Sequence, residues 1–150
     1  MQKKELDQVD KKILNILMLE AKKPLKEIAE VVFLSIPAVA ARIEKLEKEG
    51  YIQAYHAQVN AALTGFPARA FIQLDVPLEK RTGFYVFART HTQIMECSCV
   101  AGEYSMILEV CCSSMEDLEQ FVGELQEFGK AKAHVVFSTP VEHRGIQLKV

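Results

Sequence analysis

The sequence predicts an α+β fold that is divided into two domains. Apolar residues recur at helical spacing through the first 50 residues, whereas alternating, strand-like segments begin only after them. Residues 60–67, which include both glycine and proline, separate the two parts and break the periodicity. We therefore place a domain boundary there and expect domains 1–60 and 61–150.

Three helices are predicted in the first domain. Asp7 suits the start of the first helix, and Ser35 can cap the third helix through its hydroxyl. Gly50 ends the third helix. Each helix has one apolar face with residues three or four positions apart: Leu6, Val9, Ile13, Ile16 and Leu17 in the first, Leu25, Ile28, Ala29 and Val32 in the second, and Val39, Ile43 and Leu46 in the third.

Only Phe33, Leu34 and Ser35 separate the second helix from the third, so the two helices must cross at a steep angle. This is the helix-turn-helix arrangement, in which the second helix of the pair can enter the major groove of DNA. The sequence therefore predicts a DNA-binding protein. The residues expected at the DNA are Ser35, Pro37, Ala38, Ala41, Arg42 and Lys45.

The predicted DNA-facing residues are mostly small, so they offer few bidentate contacts to bases, and we expect modest sequence specificity. Arg42 has two interpretations: it contacts DNA, or it forms an ion pair with a neighbouring acid. Tyr51–Val59 has strand-like composition and would form either a wing or a connector between the domains.

The second domain alternates strands and helices in the order β-α-β-β-α-β, which predicts the ferredoxin-like plait with both helices on one face of an antiparallel sheet. The predicted elements are a strand at 68–76, a helix at 79–90, strands at 94–101 and 104–112, a helix after Ser114 and a strand at 131–139. No element is left to cover the other sheet face, so we expect a second copy of the chain to cover it.

The charge balance is unusual for a protein that binds a polyanion, because the formal net charge is −2. Residues 1–60 contain ten Lys or Arg against nine Asp or Glu, and residues 61–150 contain eight against eleven. A monomer with this balance would hold phosphates weakly. We therefore expect several copies to bind DNA together.

Other classes of protein have little support. No apolar run approaches the roughly 20 residues that span a bilayer, and the polar N-terminus does not resemble a signal peptide, so we expect a cytoplasmic protein with reduced cysteines.

Cys97 and Cys99 share a strand face, but Cys111 and Cys112 point to opposite faces, which disfavours a four-thiolate metal site. We expect buried thiols instead.

No catalytic motif was found: the chain has no nucleotide-binding loop, no HExxH and no GxSxG, and its four histidines are scattered. We therefore expect no enzyme, no cofactor and no metal. The alternative to a DNA-binding regulator is a ligand-sensing ferredoxin-like module, or a small enzyme, without direct control of DNA.

Short motifs along nearly the whole chain resemble those of the Lrp/AsnC (feast/famine) family of transcription regulators. The resemblance lies in their order and spacing, since each motif alone is weak. The matching segments are Leu6–Leu14 (LDxxDxxIL), Ile28–Ala29 (LA), Leu34–Ser35 (LS), Arg42–Ile52 (RIxxLexxGvI), Tyr55–Ala57 (YxA), Met95–Cys97 (VxEC) and Val100–Tyr104 (VTGxxD).

The resemblance implies a homodimer that assembles to an octamer, and a pocket for an amino acid or another small metabolite. The residues that it places at this pocket are Gly102, Glu103, Tyr104, Ser105, Ala133 and Val135. Ser105 stands where the family usually has Asp, and Ala133 and Val135 stand where relatives carry a TxT pattern. The sequence therefore predicts an altered effector site. Phe33 is a further departure, since the family usually has Gly in that turn.

Overall fold

The fold is given by a computed structural model that describes residues 5–150; the first four residues of the predicted first domain and of its polar N-terminus lie outside this range. The chain forms two compact units, one extending to Gln58 and including Val141–Val150, the other comprising Val59–Pro140. The sequence placed the C-terminal segment Val141–Val150 in the 61–150 domain, whereas in the structure this segment groups with the first unit. It joins the first unit because both backbone groups of Leu148 bond the side-chain amide of Asn15 at 2.9 Å.

The first unit contains the three predicted helices, α1 (Gln8–Leu19), α2 (Leu25–Val32) and α3 (Ile36–Lys48). Asp7 caps α1 by accepting the Asp10 amide, and Ser35 caps α3 by accepting the Ala38 amide. The apolar faces of all three helices meet in one core. The buried residues of this core are Ile13, Leu14, Ile28, Ala29, Val32, Val39 and Leu46.

The turn between α2 and α3 is as short as predicted. Phe33 ends α2 in the left-handed conformation, with φ 55° and ψ 46°, and the Leu34 amide donates back to the Ala29 carbonyl at 3.1 Å. Two helices joined this closely, with a shared core, form the helix-turn-helix arrangement.

Tyr51–Val59 does not form the strand that its composition predicted. Strand residues need a neighbouring strand for their backbone hydrogen bonds, and the described part of the first unit contains none. Residues 53–59 are exposed. Of the two interpretations given for this segment, the absence of a strand over the described residues 51–59 fits the connector.

The second unit has the predicted β-α-β-β-α-β order. Its elements are β1 (Ala68–Asp75), α4 (Arg81–Thr90), β2 (Ile94–Cys99), β3 (Met106–Cys112), α5 (Met115–Gln126) and β4 (Lys130–Val135). The strands form one antiparallel sheet in the order β2-β3-β1-β4. This is the ferredoxin-like topology, and it confirms the predicted fold class.

The two faces of the sheet differ in burial. Alternate residues of β1 and β3, together with Phe84 of α4 and Phe121 of α5, form the buried core. The opposite face carries Phe71 and Ile107, whose exposed fractions are 39% and 37%. Among the described residues, no helix is both long enough and apolar enough to cross a membrane.

Candidate nucleic-acid interface and effector region

The outward face of α3 is a stripe of exposed residues at helical spacing. Pro37, Ala41, Glu44 and Lys48 are exposed, whereas Val39 and Leu46 on the opposite side are fully buried. Of the other predicted DNA-binding residues, Ala38 and Lys45 are half-buried at the side of this stripe. Glu44 and Lys48 lie outside the predicted set but on the same exposed face, because they follow Ala41 at the i+3 and i+7 positions.

Ser35 lies at the start of α3 and is engaged locally. Its hydroxyl accepts the Ala38 amide at 3.4 Å, which satisfies one of the free N–H groups of the first turn. Pro37 in the same turn has no N–H to leave unsatisfied. The residues that begin the helix therefore fix where it starts and which side chains face outward.

Arg42 is held by two carboxylates of the α1 N-terminus. Its Nη1 donates to Asp7 Oδ2 and to Asp10 Oδ1, both at 2.6 Å. The Asp10 side chain is only 2% exposed, and the Lys45 ammonium lies 3.9 Å from its second oxygen. The Asp10 backbone N–H and the Arg42 guanidinium lower the pKa of Asp7, and the two carboxylates raise the pKa of Arg42. Of the two interpretations of Arg42, the structure supports the ion pair.

Ser105, a predicted effector residue, is turned into the protein rather than toward a ligand. Its side chain is buried, with 9% of the residue exposed. The hydroxyl accepts the Val76 amide at 2.8 Å and lies 3.4 Å from the Val76 carbonyl oxygen. The hydroxyl thus satisfies backbone groups where β1 ends, and its role at an effector pocket stays a prediction.

The other predicted effector residues lie in two separate places. Gly102 and Glu103 are exposed in the loop before β3, and the Lys130 ammonium lies 5.8 Å from the centre of the half-buried Tyr104 ring. Ala133 and Val135 are exposed on β4, opposite Ile72 and Ala70 of β1. Since β1 separates β4 from β3, Ala133 and Val135 lie two strands away from the residues that precede β3.

An open cavity of about 430 Å³ lies between α4 and β2. Its lining includes Tyr85, Arg89, Met95, Glu96, Cys97 and Cys99, and none of the predicted effector residues. The described residues contain no group of three or more His, Cys, Asp or Glu side chains placed to hold a metal. Cys111 and Cys112 are buried free thiols, and burial raises the pKa of Cys112 to about 11.

Comparison with known proteins identifies both units. Residues 6–53 match the profile of the winged helix-turn-helix DNA-binding domain, and residues 69–146 match that of the Lrp/AsnC ligand-binding domain. A helix-turn-helix unit joined to this ferredoxin-like unit defines a class of DNA-binding transcription regulators. The chain belongs to the Lrp/AsnC family.

Individual relatives match over most of their length. The transcriptional regulator LrpA of Bacillus subtilis is 30% identical over 132 residues, which is 87% of this chain and 97% of that protein. The structure of LrpC from the same organism is 26% identical, with a TM-score of 0.87, over 93% of this chain and all of that one. A regulator from Neisseria meningitidis, solved with L-methionine, is 25% identical, with a TM-score of 0.85, over 93% of this chain and 94% of that one.

The comparisons confirm three predictions made from the sequence. The family is the one that the motifs resembled, and its members are transcription regulators that bind DNA. The relatives are named as regulators, so the prediction that the chain is not an enzyme is confirmed. The alternative of a sensing module or small enzyme without direct control of DNA is set aside.

Proposed function

We propose that this regulator binds duplex DNA by placing the outward face of α3 in the major groove, with one such helix from each subunit of a dimer. The observation that supports the proposal is the exposed stripe from Pro37 to Lys48, opposite a fully buried face. Its subunits would read half-sites about one helical turn apart. Because its target is the chromosome, we propose that it acts in the cytoplasm.

The residues of α3 divide into three roles in this proposal. Pro37, Ala38 and Ala41 are small enough to allow close approach to the bases, with Ser35 fixing the start of the helix. Lys45 and Lys48 lie where they can meet phosphates. Arg42 supports the helix from behind through Asp7 and Asp10, since its Nη1 is already bonded to both.

Substitution of Ala41 by Glu tests this proposal without disturbing the core. Ala41 is exposed and Glu is a good helix former, so Ala41→Glu retains the fold but adds a charge that phosphates repel. We expect at least a tenfold loss of affinity for duplex DNA, measured by fluorescence anisotropy. Leu19→Glu, which adds the same charge at an exposed position of α1, is the matched control. If Ala41→Glu bound duplex DNA as tightly as the Leu19→Glu control, α3 would be excluded from the interface.

We further propose that the chain forms a dimer through the open face of its sheet, and that four such dimers form an octamer. The octamer rests on the family resemblance. Support for the dimer comes from the open face, where exposed Phe71 and Ile107 lie beside an ion pair of Arg69 and Glu109 at 2.7 Å. Because that pair is satisfied within the chain, the face presents apolar surface to a partner. Linked DNA-binding units would compensate for the low charge of each one.

An effector for this protein is proposed by analogy with the Neisseria meningitidis relative solved with L-methionine. We propose that an amino acid or a small metabolite of lower polarity binds near Gly102–Tyr104, or that the protein works without one. Ser105 brings no charge and is committed to Val76, and Ala133 and Val135 bring no hydroxyls. Glu103, exposed in the same loop, is the carboxylate available to an ammonium group.

A further inference from the structure

We propose that the start of α3 recognises thymine through its 5-methyl group, and that Phe33 in the preceding turn is a specificity residue in this contact. The inference rests on the proposed placement of α3 in the major groove. It adds a residue outside the predicted DNA-binding set and names the base that the protein selects.

Phe33 combines an unfavourable backbone conformation with an exposed side chain. At φ 55° it adopts the left-handed region, which is a rare conformation for a bulky residue. The residue is 89% exposed, so no burial within the described chain compensates for the strain. A glycine would take this conformation without cost. Strain of this kind persists at functional sites, where the side chain has a use outside the folded monomer.

The residues beside Phe33 at the start of α3 are also apolar and exposed. Ile36 and Pro37 follow it within four positions, and Ala41 lies one turn further along the outward face. Together these four residues form what we call the apolar tip. It lies within residues 6–53, the part of the chain that matches a DNA-binding domain, so DNA is the partner available to it.

Two polar residues near the apolar tip make hydrogen bonds within the chain. The Ser35 hydroxyl accepts the Ala38 amide, and the Arg42 guanidinium donates to Asp7 and Asp10. The four side chains of the apolar tip carry no hydrogen-bonding group, so they offer nothing to the hydrogen-bonding edges of guanine or adenine. The thymine methyl group is the apolar feature of the major groove, and small apolar or aromatic side chains contact it. Thymine is thus the base that fits this surface.

Replacing thymine by uracil tests the proposal, because uracil keeps every hydrogen-bonding group and lacks only the methyl. An operator duplex is first selected from random sequences with the unmodified protein, and each half-site thymine is then replaced in turn. We expect about a fourfold loss of affinity at each contacted methyl, as for one buried carbon group. The Phe33→Gly variant should bind the thymine duplex with an affinity lower by a similar factor. At one or more of those positions its affinity should no longer change when thymine is replaced by uracil.

Leu19→Ala, at another exposed apolar residue, is the control and should retain the full response to uracil. Glycine suits the turn, so Phe33→Gly should melt no lower than the unmodified protein. The proposal would be overturned if uracil left the affinity unchanged at every half-site position. It would also be overturned if the Phe33→Gly variant responded to uracil in the same way as the unmodified protein. If Ala41→Glu also bound DNA normally, the failure would lie in the placement of α3 itself.

Discussion

The Arg42 guanidinium lies 2.6 Å from the carboxylate of Asp10, which is 2% exposed and 32 positions earlier in the chain. This contact joins the middle of α3 to the first turn of α1. A buried carboxylate without a cation would be costly, so the pair fixes how α3 is oriented on the rest of the unit. Asp7 adds a second contact to the same Nη1 atom.

Replacement of Arg42 by Ala should therefore destabilise the first unit and weaken DNA binding indirectly. Removing one partner of a fully buried pair costs about 3–5 kcal/mol. Since Arg42 is one-third exposed and Lys45 lies 3.9 Å from Asp10, we expect about 2 kcal/mol, measured by urea denaturation. The slope of log affinity against log salt should change little, because no phosphate contact is lost.

An Arg42→Ala variant with full stability and a salt slope reduced by about one would instead identify Arg42 as a phosphate contact.

Acid provides an independent check. The pKa of Asp7 is lowered below 3.8 in the folded state, so its stabilisation is present above that pH and is lost as the pH falls further. Asp7→Asn should remove this part of the acid sensitivity.

Ser105→Ala should affect stability and not effector binding. The substitution leaves the buried Val76 amide without its acceptor, which typically costs about 1–3 kcal/mol. Ser113→Ala is the control, because its hydroxyl bonds Asp117 at an exposed position and should contribute within about 0.5 kcal/mol. Calorimetric titration with the twenty amino acids should give the same result for Ser105→Ala as for the unmodified protein. If Ser105→Ala lost the response to an amino acid but kept its stability, Ser105 would instead be a residue of the effector pocket.

Ile107→Lys should break the proposed dimer while leaving the sheet intact. Ile107 lies opposite Gln73 and Ser98, so a lysine there meets no like charge on the neighbouring strands. Across a dimer interface the same lysine would be buried without a partner. Light scattering at micromolar concentration should change from an oligomer to the 16.9 kDa monomer.

Val86→Lys, on an exposed position of α4, should leave the assembly unchanged. A monomeric unmodified protein, or an Ile107→Lys variant of unchanged mass, would contradict the proposed interface.

Local signals predicted most of the fold. The capping residues Asp7, Ser35 and Ser114 mark where α1, α3 and α5 begin, because a cap depends only on the residues three positions ahead. The strand-like composition of Tyr51–Val59 did not produce a strand, since a strand also needs a partner, which composition does not reveal.

The site was harder to predict than the fold, because its contacts join residues that are distant in sequence. The Arg42–Asp10 pair spans 32 positions, and the Ser105–Val76 hydrogen bond spans 29. A motif showed that these residues matter in the family, but not which atom each one faces. The packing of Leu148 against the first unit depends in the same way on Asn15, 133 positions away.

The central claim, that α3 lies in the major groove, is tested most directly by cleavage of operator DNA from an iron chelate attached at position 37. The protein would carry Pro37→Cys together with Cys97→Ala and Cys99→Ser, since Cys111 and Cys112 are buried. We predict two clusters of strand cleavage, one in each half-site and about one helical turn apart. Cleavage that occurs only from the same chelate on a Leu19→Cys variant, and not from position 37, would contradict the claim.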